Sequence, residues 1–530
     1  MKIKLKLKFT QTKLIIVASF FFVLFDNFAF FHHVTQIYPV TLKNIGFLAS
    51  LALGLTALMM LLLTLAGSKH TTKPVLILLL MISAVAAYFM NHYNVVIDDT
   101  MIQNIFKTNM NEAFDLLSPQ LLYYGLFLGI IPALLVYWIK LEPASFKKAA
   151  LTKTRDILIS VLVIMAVLLL FSRFYTSFFR EHKPLRYYTN PSYYIYSAGK
   201  YLGKTFQNTT LTVRKIGEDA KKSAADTGRK LVILVVGEAV RADRLSLNGY
   251  PRETTPLLQK ENIISFSNMY SCGTTTAHSV PCMFSILQRS EYSETKGKAV
   301  ENLLDVLGHA NVRLLWRDNN SDSMDTARNI PYQDYSDPKI NTICDGECRD
   351  EGMLVGLQDY IDGQAGGDIL IVLHQMGNHG PAYYKRYPAA FEKFTPVCRT
   401  NQFDECTQEE IGNAYDNALL YTDYFLTQVI GLLKKNSPRF ETAMLYMGDH
   451  GESLGEYNIY LHGLPYAMAP ETQNRVAALF WFDDRVKIDR QYIKDRAGEP
   501  FSHDNLFHTV LGLMKVETSV YDKGLDILAK

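Results

Sequence analysis

The fold of the C-terminal part is decided by the stretch KLVILVVGE, residues 230–238. Its six consecutive apolar residues, Leu231–Val236, predict a strand buried on both faces, and Gly237 and Glu238 follow at once. Similar patterns recur downstream: the further predicted strands are Arg313–Trp316, Ile369–Leu373, Ala443–Met447 and Ala477–Phe482, and the predicted helices are Glu301–Ala310 and Glu409–Lys435. Continuous apolar strands that alternate with helices are typical of a mainly parallel sheet covered on both faces. Residues 230–530 are therefore predicted to form an α/β domain.

Acidic and imidazole side chains follow these predicted strands. In an open parallel sheet, ligands bind outside the carboxyl ends of the strands. The candidates there are Glu238, His379, Asp449, His450 and His462. One acidic residue after a strand is usually a helix cap or a loop hydrogen bonder, but several strand ends with the same chemistry favour a metal site. Carboxylates and neutral imidazoles suit a divalent ion such as zinc. His374 still lies within a strand and is predicted to be structural.

Residues 1–172 have a different pattern, with five long apolar runs and no cysteine. A helix needs about 17–25 residues to cross the hydrocarbon core of a membrane. The runs are Leu14–Phe31, Ile45–Ala66, Pro74–Met90, Leu121–Ile139 and Ile157–Phe171. Buried helices of a soluble domain are the alternative, but such helices also need polar faces. This part is therefore predicted to be a domain of five transmembrane helices.

The charges of the connecting segments predict the orientation of these helices. The N-terminal tail and the second and fourth loops are rich in lysine and arginine, whereas the first and third loops are poor in them. Basic loops stay in the cytoplasm, so the N-terminus is predicted to be cytoplasmic and the C-terminal domain to lie outside. The first run lacks a small-residue cleavage site and is predicted to be an uncleaved anchor.

Residues 173–229 form a bridge rich in tyrosine and phenylalanine with interspersed basic residues. Aromatic rings with polar tips favour the membrane interface, and we predict that this segment lies there. An ordinary linker packed on the C-terminal domain is the alternative. The net charge of the chain is only +2, which argues against a nucleic-acid partner because phosphate binding needs a strongly basic surface.

All six cysteines lie after residue 270. Their spacing favours the pairs Cys272–Cys282, Cys344–Cys348 and Cys398–Cys406, although six cysteines also allow other connectivities. No C-x-x-C occurs, and disulfides suit an oxidising compartment outside the cytoplasm. The first pair would clamp a threonine-rich loop, Ser271–Phe284.

Several motifs of the C-terminal domain resemble those of one family. They are Val235–Glu238, Asn248–Thr254, Ser271–Phe284, Asn378–Pro381 and Asp449–Glu456. The chain is similar to the lipid A phosphoethanolamine transferases, which include the mobile colistin-resistance enzymes and belong to the alkaline phosphatase/sulfatase superfamily. The resemblance covers nearly the whole chain, including the five spans before a periplasmic domain.

The resemblance implies a zinc site and a covalent mechanism. The implied zinc ligands are Glu238, Thr276, Asp449 and His450, with Thr276 as the nucleophile and Thr274 and Thr275 as its competitors. His379 and His462 match histidines near the transferred group or a second metal. The residues that match head-group ligands are Asn104, Thr108, Glu112 and Ser321.

The sequence also departs from the family pattern. Ala239, Gly448 and Tyr457 replace a usual threonine, serine and asparagine, and Met324 stands where many members have a lysine near the substrate phosphate. Arg328 is the candidate substitute for that lysine. Three predicted disulfides rather than five place the chain nearer the mobile-resistance branch.

The implied reaction transfers phosphoethanolamine from phosphatidylethanolamine to a lipid A phosphate, which lowers the negative charge of the surface and gives resistance to polymyxin. The protein is expected to be a monomer in the bacterial inner membrane. Alternatives are transfer to the lipopolysaccharide core or another glycan, and a manganese-dependent phosphoglycerol transferase like lipoteichoic acid synthase, which the cysteine-clamped threonine loop disfavours. A sulfatase is disfavoured because no Cys/Ser-x-Pro-x-Arg element is present, and a non-catalytic sensor because the ligand set is complete.

Overall fold

The computed structural model describes residues 8–107, 116–207 and 212–530. The chain divides into two compact units, one formed by Met1–Ile102 with Leu117–Tyr201 and the other by Gln103–Leu116 with Leu202–Lys530. The boundary after Tyr201 falls inside the predicted bridge 173–229. The position of that bridge at a membrane interface stays a prediction.

Helices dominate the N-terminal part. They are α1 (Gln11–Phe25), α2 (Phe28–Ile37), α3 (Ile45–Ala66), α4 (Thr72–His92), α5 (Asp99–Lys107), α6 (Pro119–Trp138, with a π-helical turn at Gly125–Ile130), α7 (Phe146–Leu170), α8 (Ser172–Glu181) and α9 (Ser192–Gln207). Within the described residues, α3, α4 and α6 are each long and apolar enough to cross a membrane, and α1 with α2 becomes a fourth candidate if the bent pair is one span. The first unit is therefore a helical membrane domain.

The first predicted span, Leu14–Phe31, is not one continuous helix. The chain bends by 56° between α1 and α2. The side chain of Asn27 causes the break, because its amide donates to Phe22 O at 2.9 Å and its Oδ1 accepts from the N–H of Asn190 at 2.9 Å. Asparagine competes in this way with the backbone hydrogen bonds that would continue a helix.

The last predicted span also differs from a simple membrane helix. It lies in α7, whose N-terminal half carries Lys147, Lys148, Lys153 and Arg155. The apolar part of α7 that starts at Ile157 is therefore shorter than the length that a helix needs to cross the hydrocarbon core.

An eight-stranded sheet forms the centre of the second unit. Its strands are β1 (Lys230–Gly237), β2 (Ile264–Tyr270), β3 (Arg313–Asp318), β4 (Tyr332–Asp334), β5 (Ile369–His374), β6 (Glu441–Gly448), β7 (Arg475–Phe482) and β8 (Phe501–Ser502). Their order is β8-β2-β7-β6-β1-β5-β3-β4, and only β7 runs antiparallel to the others. The prediction of a mainly parallel sheet is confirmed. All eight residues of β1 are buried, which places the middle of the core around this strand.

The helices of the second unit cover this sheet. They are α10 (Thr276–Met283), α11 (Glu294–Lys298), α12 (Leu303–His309), α13 (Leu357–Asp362), α14 (Gln408–Asn436), α15 (Glu471–Asn474), α16 (Arg490–Asp495) and α17 (Leu506–Leu513). The predicted helices Glu301–Ala310 and Glu409–Lys435 correspond to α12 and α14. The long helix α14 starts at a capping box, in which Thr407 and Glu410 satisfy each other's backbone N–H groups. Three disulfides join Cys272 to Cys282, Cys344 to Cys348 and Cys398 to Cys406.

One buried carboxylate holds the Asn248–Thr254 motif against α14. Asp416 is fully buried and accepts hydrogen bonds from Tyr250 Oη at 2.9 Å and Arg252 Nη1 at 3.0 Å. Arg244 Nη1 lies 3.3 Å from its other oxygen. The motif therefore has a structural role, because its charged and phenolic groups compensate a carboxylate that has no contact with solvent.

Replacing Asp416 should destabilise the second unit strongly. Asp416→Ala removes the acceptor that two arginines and a tyrosine hydroxyl share, and because the Arg244 and Arg252 side chains are 18% and 33% exposed, the expected cost is about 1–3 kcal/mol. The midpoint of urea unfolding of the purified full chain measures the effect. Glu253→Ala in the same motif is the matched control, since the Glu253 side chain is 71% exposed and its loss should change stability by less than about 0.5 kcal/mol. Equal midpoints for the two variants would contradict this role of Asp416.

Candidate active site

The candidate site lies at the carboxyl ends of the adjacent strands β1, β5 and β6. Gly237 and Gly448 are paired in register at the ends of β1 and β6. Glu238 and Asp449 follow them directly, and the N–H of Asp449 donates to Gly237 O at 2.8 Å. The carboxylates predicted from separate strand ends are thereby brought side by side.

Glu238, Asp449 and His450 form a group that could hold a metal ion, with one ligand atom of each within 4.8 Å of the others. His450 Nε2 lies 3.2 Å from Glu238 Oε1 and 3.4 Å from Asp449 Oδ2. All three side chains are fully buried, and these two carboxylate oxygens accept no hydrogen bond from the described residues. Buried charges are normally paired or bound to metal. The three residues therefore fit a divalent cation of the kind that nitrogen and oxygen ligands bind.

The orientation of His450 supports the same assignment. Its Nδ1 lies 2.9 Å from Gly451 O and donates to it, which leaves the lone pair of Nε2 facing the carboxylates. Burial opposes a positive charge here, but Asp449 and Glu238 outweigh it and raise the pKa of His450 to about 10. Burial would raise the pKa of Glu238, yet the charge of His450 holds it well below its ordinary value. A bound cation would take the place of the proton that balances this charge.

Thr276 is the first residue of α10 and touches the same group. Its Oγ1 donates to Glu238 Oε2 at 2.9 Å and lies 3.2 Å from His450 Nε2. Thr274 instead donates to Leu464 O at 2.7 Å, and the hydroxyl of Thr275 is buried without a partner among the described residues. Of the three threonines, Thr276 is the one whose hydroxyl contacts the acidic and imidazole groups.

The structure adds Asn320, which the sequence analysis does not single out. Its side-chain amide donates to Glu238 Oε2 at 2.9 Å and to Gln375 O at 2.8 Å. It follows β3, so its position after a strand is the signal that could have identified it. The next residue, Ser321, donates its N–H to Asn320 Oδ1 at 2.6 Å.

A second polar group borders the first. His462 Nδ1 lies 2.8 Å from Glu452 Oε2, and Tyr383 Oη donates to Glu452 Oε1 at 2.6 Å. The rings of His450 and His462 are 4.1 Å apart, and those of His379 and His462 are 6.1 Å apart. His379 and His462 therefore lie close together beside His450. The hydrogen bond to Glu452 fixes the orientation of the His462 ring.

His374 has a different environment. It lies at the end of β5, fully buried, with Nδ1 2.9 Å from Asp318 Oδ2. Burial opposes protonation, but the neighbouring Asp318 raises the pKa of His374. The indole of Trp316 donates to the same Asp318 oxygen at 2.8 Å. These contacts agree with the structural role predicted for His374.

The predicted head-group residues are described only in part. Asn104 lies on α5, whereas Thr108 and Glu112 lie outside the described residues. Met324 lines a small cleft with Ala277 and Gln103. The guanidinium of Arg328 also borders this cleft, but it donates to Lys298 O at 3.2 Å and to Val300 O at 2.8 Å. These two carbonyls use only part of the donor capacity of the guanidinium, and the hypothesis that Arg328 replaces the missing lysine stays a prediction.

Two family models match the chain. One described as sulfatase matches residues 230–516, and one described as phosphoethanolamine transferase EptA/EptB matches residues 55–206. Together they cover both the α/β unit and most of the membrane unit.

Similar proteins match over nearly the full length. The phosphoethanolamine transferase EptA of Escherichia coli K12 is 40% identical over 525 residues, which covers 97% of this chain and 96% of that protein. The phosphatidylethanolamine transferase Mcr-1 of E. coli is 43% identical over 503 residues, with 92% of each chain covered. The structure of the integral membrane lipooligosaccharide phosphoethanolamine transferase A of Neisseria meningitidis superposes with a TM-score of 0.94 at 34% identity, over 98% of this chain and 99% of that one. The chain described here belongs to the phosphoethanolamine transferase family, with a catalytic unit of the sulfatase fold.

Proposed function

We propose that this protein transfers phosphoethanolamine from phosphatidylethanolamine to a phosphate of lipid A, through a phosphorylated Thr276. The observation that carries the proposal is the contact of the Thr276 hydroxyl with Glu238 and His450, at 2.9 and 3.2 Å. The similar proteins EptA and Mcr-1 are named as phosphoethanolamine and phosphatidylethanolamine transferases, which supports the donor.

We propose that the protein is a monomer in the bacterial inner membrane and that its N-terminus lies in the cytoplasm. It has five spans (residues 1–172), with α1 and α2 as a broken first span and α7 as the fifth. An interfacial segment (173–229) and a periplasmic catalytic domain (230–530) follow. The basic loops support the orientation, and three disulfides suit an oxidising compartment. Lipid donor and lipid acceptor then share one membrane with the enzyme, which raises their effective concentration.

The proposed cofactor is Zn²⁺, held by Glu238, Asp449, His450 and Thr276. The two buried carboxylate oxygens without a hydrogen-bond donor support this ligand set. When bound, such an ion lowers the pKa of the threonine hydroxyl and neutralises charge on the phosphoryl oxygens. The proposal extends to a second metal ion beside His379 and His462. Ligand atoms of His450, Glu452 and His462 lie within 4.8 Å of one another, which supports this extension.

In the first half of the proposed reaction, different residues of the site accept and donate the protons. Glu238 Oε2 accepts the hydroxyl proton as Thr276 Oγ1 attacks phosphorus, and the bond to the diacylglycerol oxygen breaks. That oxygen takes a proton from His379 or His462, since an imidazole is the side chain that most often serves as a general acid. Glu452 accepts from Nδ1 of His462 and so directs its Nε2 away from the carboxylate.

In the second half of the reaction, a lipid A phosphate oxygen attacks the same phosphorus, and the histidine that protonated diacylglycerol regains a proton from that phosphate or from water. The bond to Thr276 Oγ1 breaks, and the threonine recovers its proton from Glu238. The added ethanolammonium offsets a negative charge of the acceptor phosphate, which weakens the attraction of cationic peptides such as polymyxin.

Thr276→Ala should abolish the modification of lipid A, because the attacking oxygen is removed. Mass spectrometry of lipid A from Gram-negative cells that express the full chain measures a gain of one phosphoethanolamine unit. Thr275→Ala is the matched control, since it removes a neighbouring hydroxyl without a described partner, and it should keep the modification. Modification that persists in the Thr276→Ala cells would exclude Thr276 as nucleophile. No modification by the unaltered chain, present in the inner membrane, would exclude this donor and acceptor pair.

Zinc should stabilise the purified protein and Glu238→Gln should remove that effect. A ligand that binds only the folded state at 100 times its Kd adds about 2.7 kcal/mol, which corresponds to a rise in Tm of several degrees. Thermal unfolding with zinc or with a chelator measures the shift, and metal analysis measures the content. His309→Gln is the control, because His309 pairs with Glu301 in the same unit and outside the ligand group. An undiminished zinc shift in Glu238→Gln would contradict the ligand set.

A further inference from the structure

A buried histidine outside the strand-end cluster connects two loops of the site. His503 follows β8 and is only 1% exposed. Its Nδ1 accepts from the N–H of Cys272 at 3.1 Å, and its Nε2 donates to Gly448 O at 2.9 Å. One side of the ring therefore contacts the threonine loop, and the other contacts the residue immediately before Asp449.

These two contacts fix the tautomer of the His503 ring. A backbone N–H can only donate and a carbonyl can only accept, so the proton sits on Nε2 and the lone pair on Nδ1. Burial lowers the pKa of His503 to about 4. The ring consequently stays neutral near pH 7, in the one tautomer that satisfies both partners.

A serine completes the connection between the loops. Ser279 Oγ donates to Asp449 O at 2.5 Å and lies 3.2 Å from His503 Nδ1. Ser279 is on α10, three residues after Thr276, and residues at this spacing share one side of a helix. The peptide groups on both sides of Asp449 Cα are thus held, Gly448 O by His503 and Asp449 O by Ser279.

The stability of α10 has a separate origin. Val280 and Met283 have no exposed surface and belong to the hydrophobic core, and the Cys272–Cys282 disulfide closes the loop. Apolar contacts are not directional, so they keep the helix folded without setting its register relative to β6. Hydrogen bonds through a rigid ring are directional and do set that register.

We propose that His503 is a positioning residue of phosphoryl transfer, which holds the Thr276 loop in register with Asp449. The inference rests on the proposed role of Thr276 as nucleophile. A displacement of about 1 Å of a reacting group can cost roughly 10²-fold in rate. Removal of His503 should therefore slow the attack by Thr276 without preventing folding or lipid binding.

The test compares three variants of the full chain in detergent. His503→Ala removes both contacts, and His503→Gln supplies an amide that can donate and accept. His508→Ala is the matched control, because His508 is also buried and accepts one backbone N–H, from Asp522 at 3.0 Å. Mixed micelles of phosphatidylethanolamine are added, and intact-mass spectrometry follows phosphoethanolamine on Thr276 over time, at several lipid concentrations.

The expected result is a rate for His503→Ala that is 10- to 100-fold below that of the unaltered chain at saturating lipid, in the range found for residues that orient metal ligands. KM for the lipid should stay within about twofold and Tm close to that of His508→Ala, with the glutamine variant recovering part of the rate. If His503→Ala does not fold, His503→Gln and Ser279→Ala carry the same comparison, and a slowed attack at unchanged KM is again expected.

Two results would overturn the inference. Equal rates of Thr276 labelling in His503→Ala and His508→Ala would show that His503 does not position the nucleophile, while the labelled Thr276 would keep the proposed function intact. A loss that only follows the fraction of folded protein would show a purely structural role. Absence of any label in the unaltered chain would instead refute the proposed function, and the inference with it.

Discussion

Two negative charges, those of Glu238 and Asp449, lie at neighbouring strand ends with no exposure to solvent, and the rest of the catalytic unit depends on how they are balanced. Removing an ionised carboxylate from water costs several kcal/mol even after the protein relaxes. Protein groups supply part of the balance: Asn320 and Thr276 both donate to one oxygen of Glu238. His450 faces the remaining oxygens. The two carboxylates therefore need a positive charge beside them, which either a proton on His450 or a metal ion can supply.

Close packing of the backbone makes this concentration of charge possible. A Cβ at Gly237 would lie 2.2 Å from the hydroxyl of Tyr446, and one at Gly448 would lie 3.0 Å from Val240 O. Two strands can thus end side by side in register, and both carboxylates emerge at the same level. Ala239, the residue after Glu238, has a φ of 55° and donates its N–H to Asp449 Oδ1 at 3.1 Å. That left-handed conformation is unusual for a residue with a side chain, and the hydrogen bond to the carboxylate compensates for it.

The central strands and the acidic residues after them can be predicted from sequence, because an uninterrupted apolar run ends where the chain leaves the sheet. Features that depend on residues far apart in the sequence cannot be predicted in this way. Strand β2 alternates between buried and partly exposed residues and does not match the apolar-run criterion. The break at Asn27 depends on Asn190, which lies 163 residues further along the chain. The role of Glu452 depends on Tyr383 and His462, which come from two other loops.

The proposed reaction also explains why the nucleophile needs contacts on more than one side. In a two-step transfer, the oxygen that attacks phosphorus in the first half is the leaving group in the second. Thr276 Oγ1 lies between a carboxylate that can receive its proton and return it and an imidazole nitrogen that belongs to the ligand group. The same two contacts stabilise the oxygen as it forms the bond and as it breaks it. In the proposed reaction, a fixed register between α10 and β6 therefore serves both halves, and the contacts of His503 with Gly448 O and of Ser279 with Asp449 O hold that register.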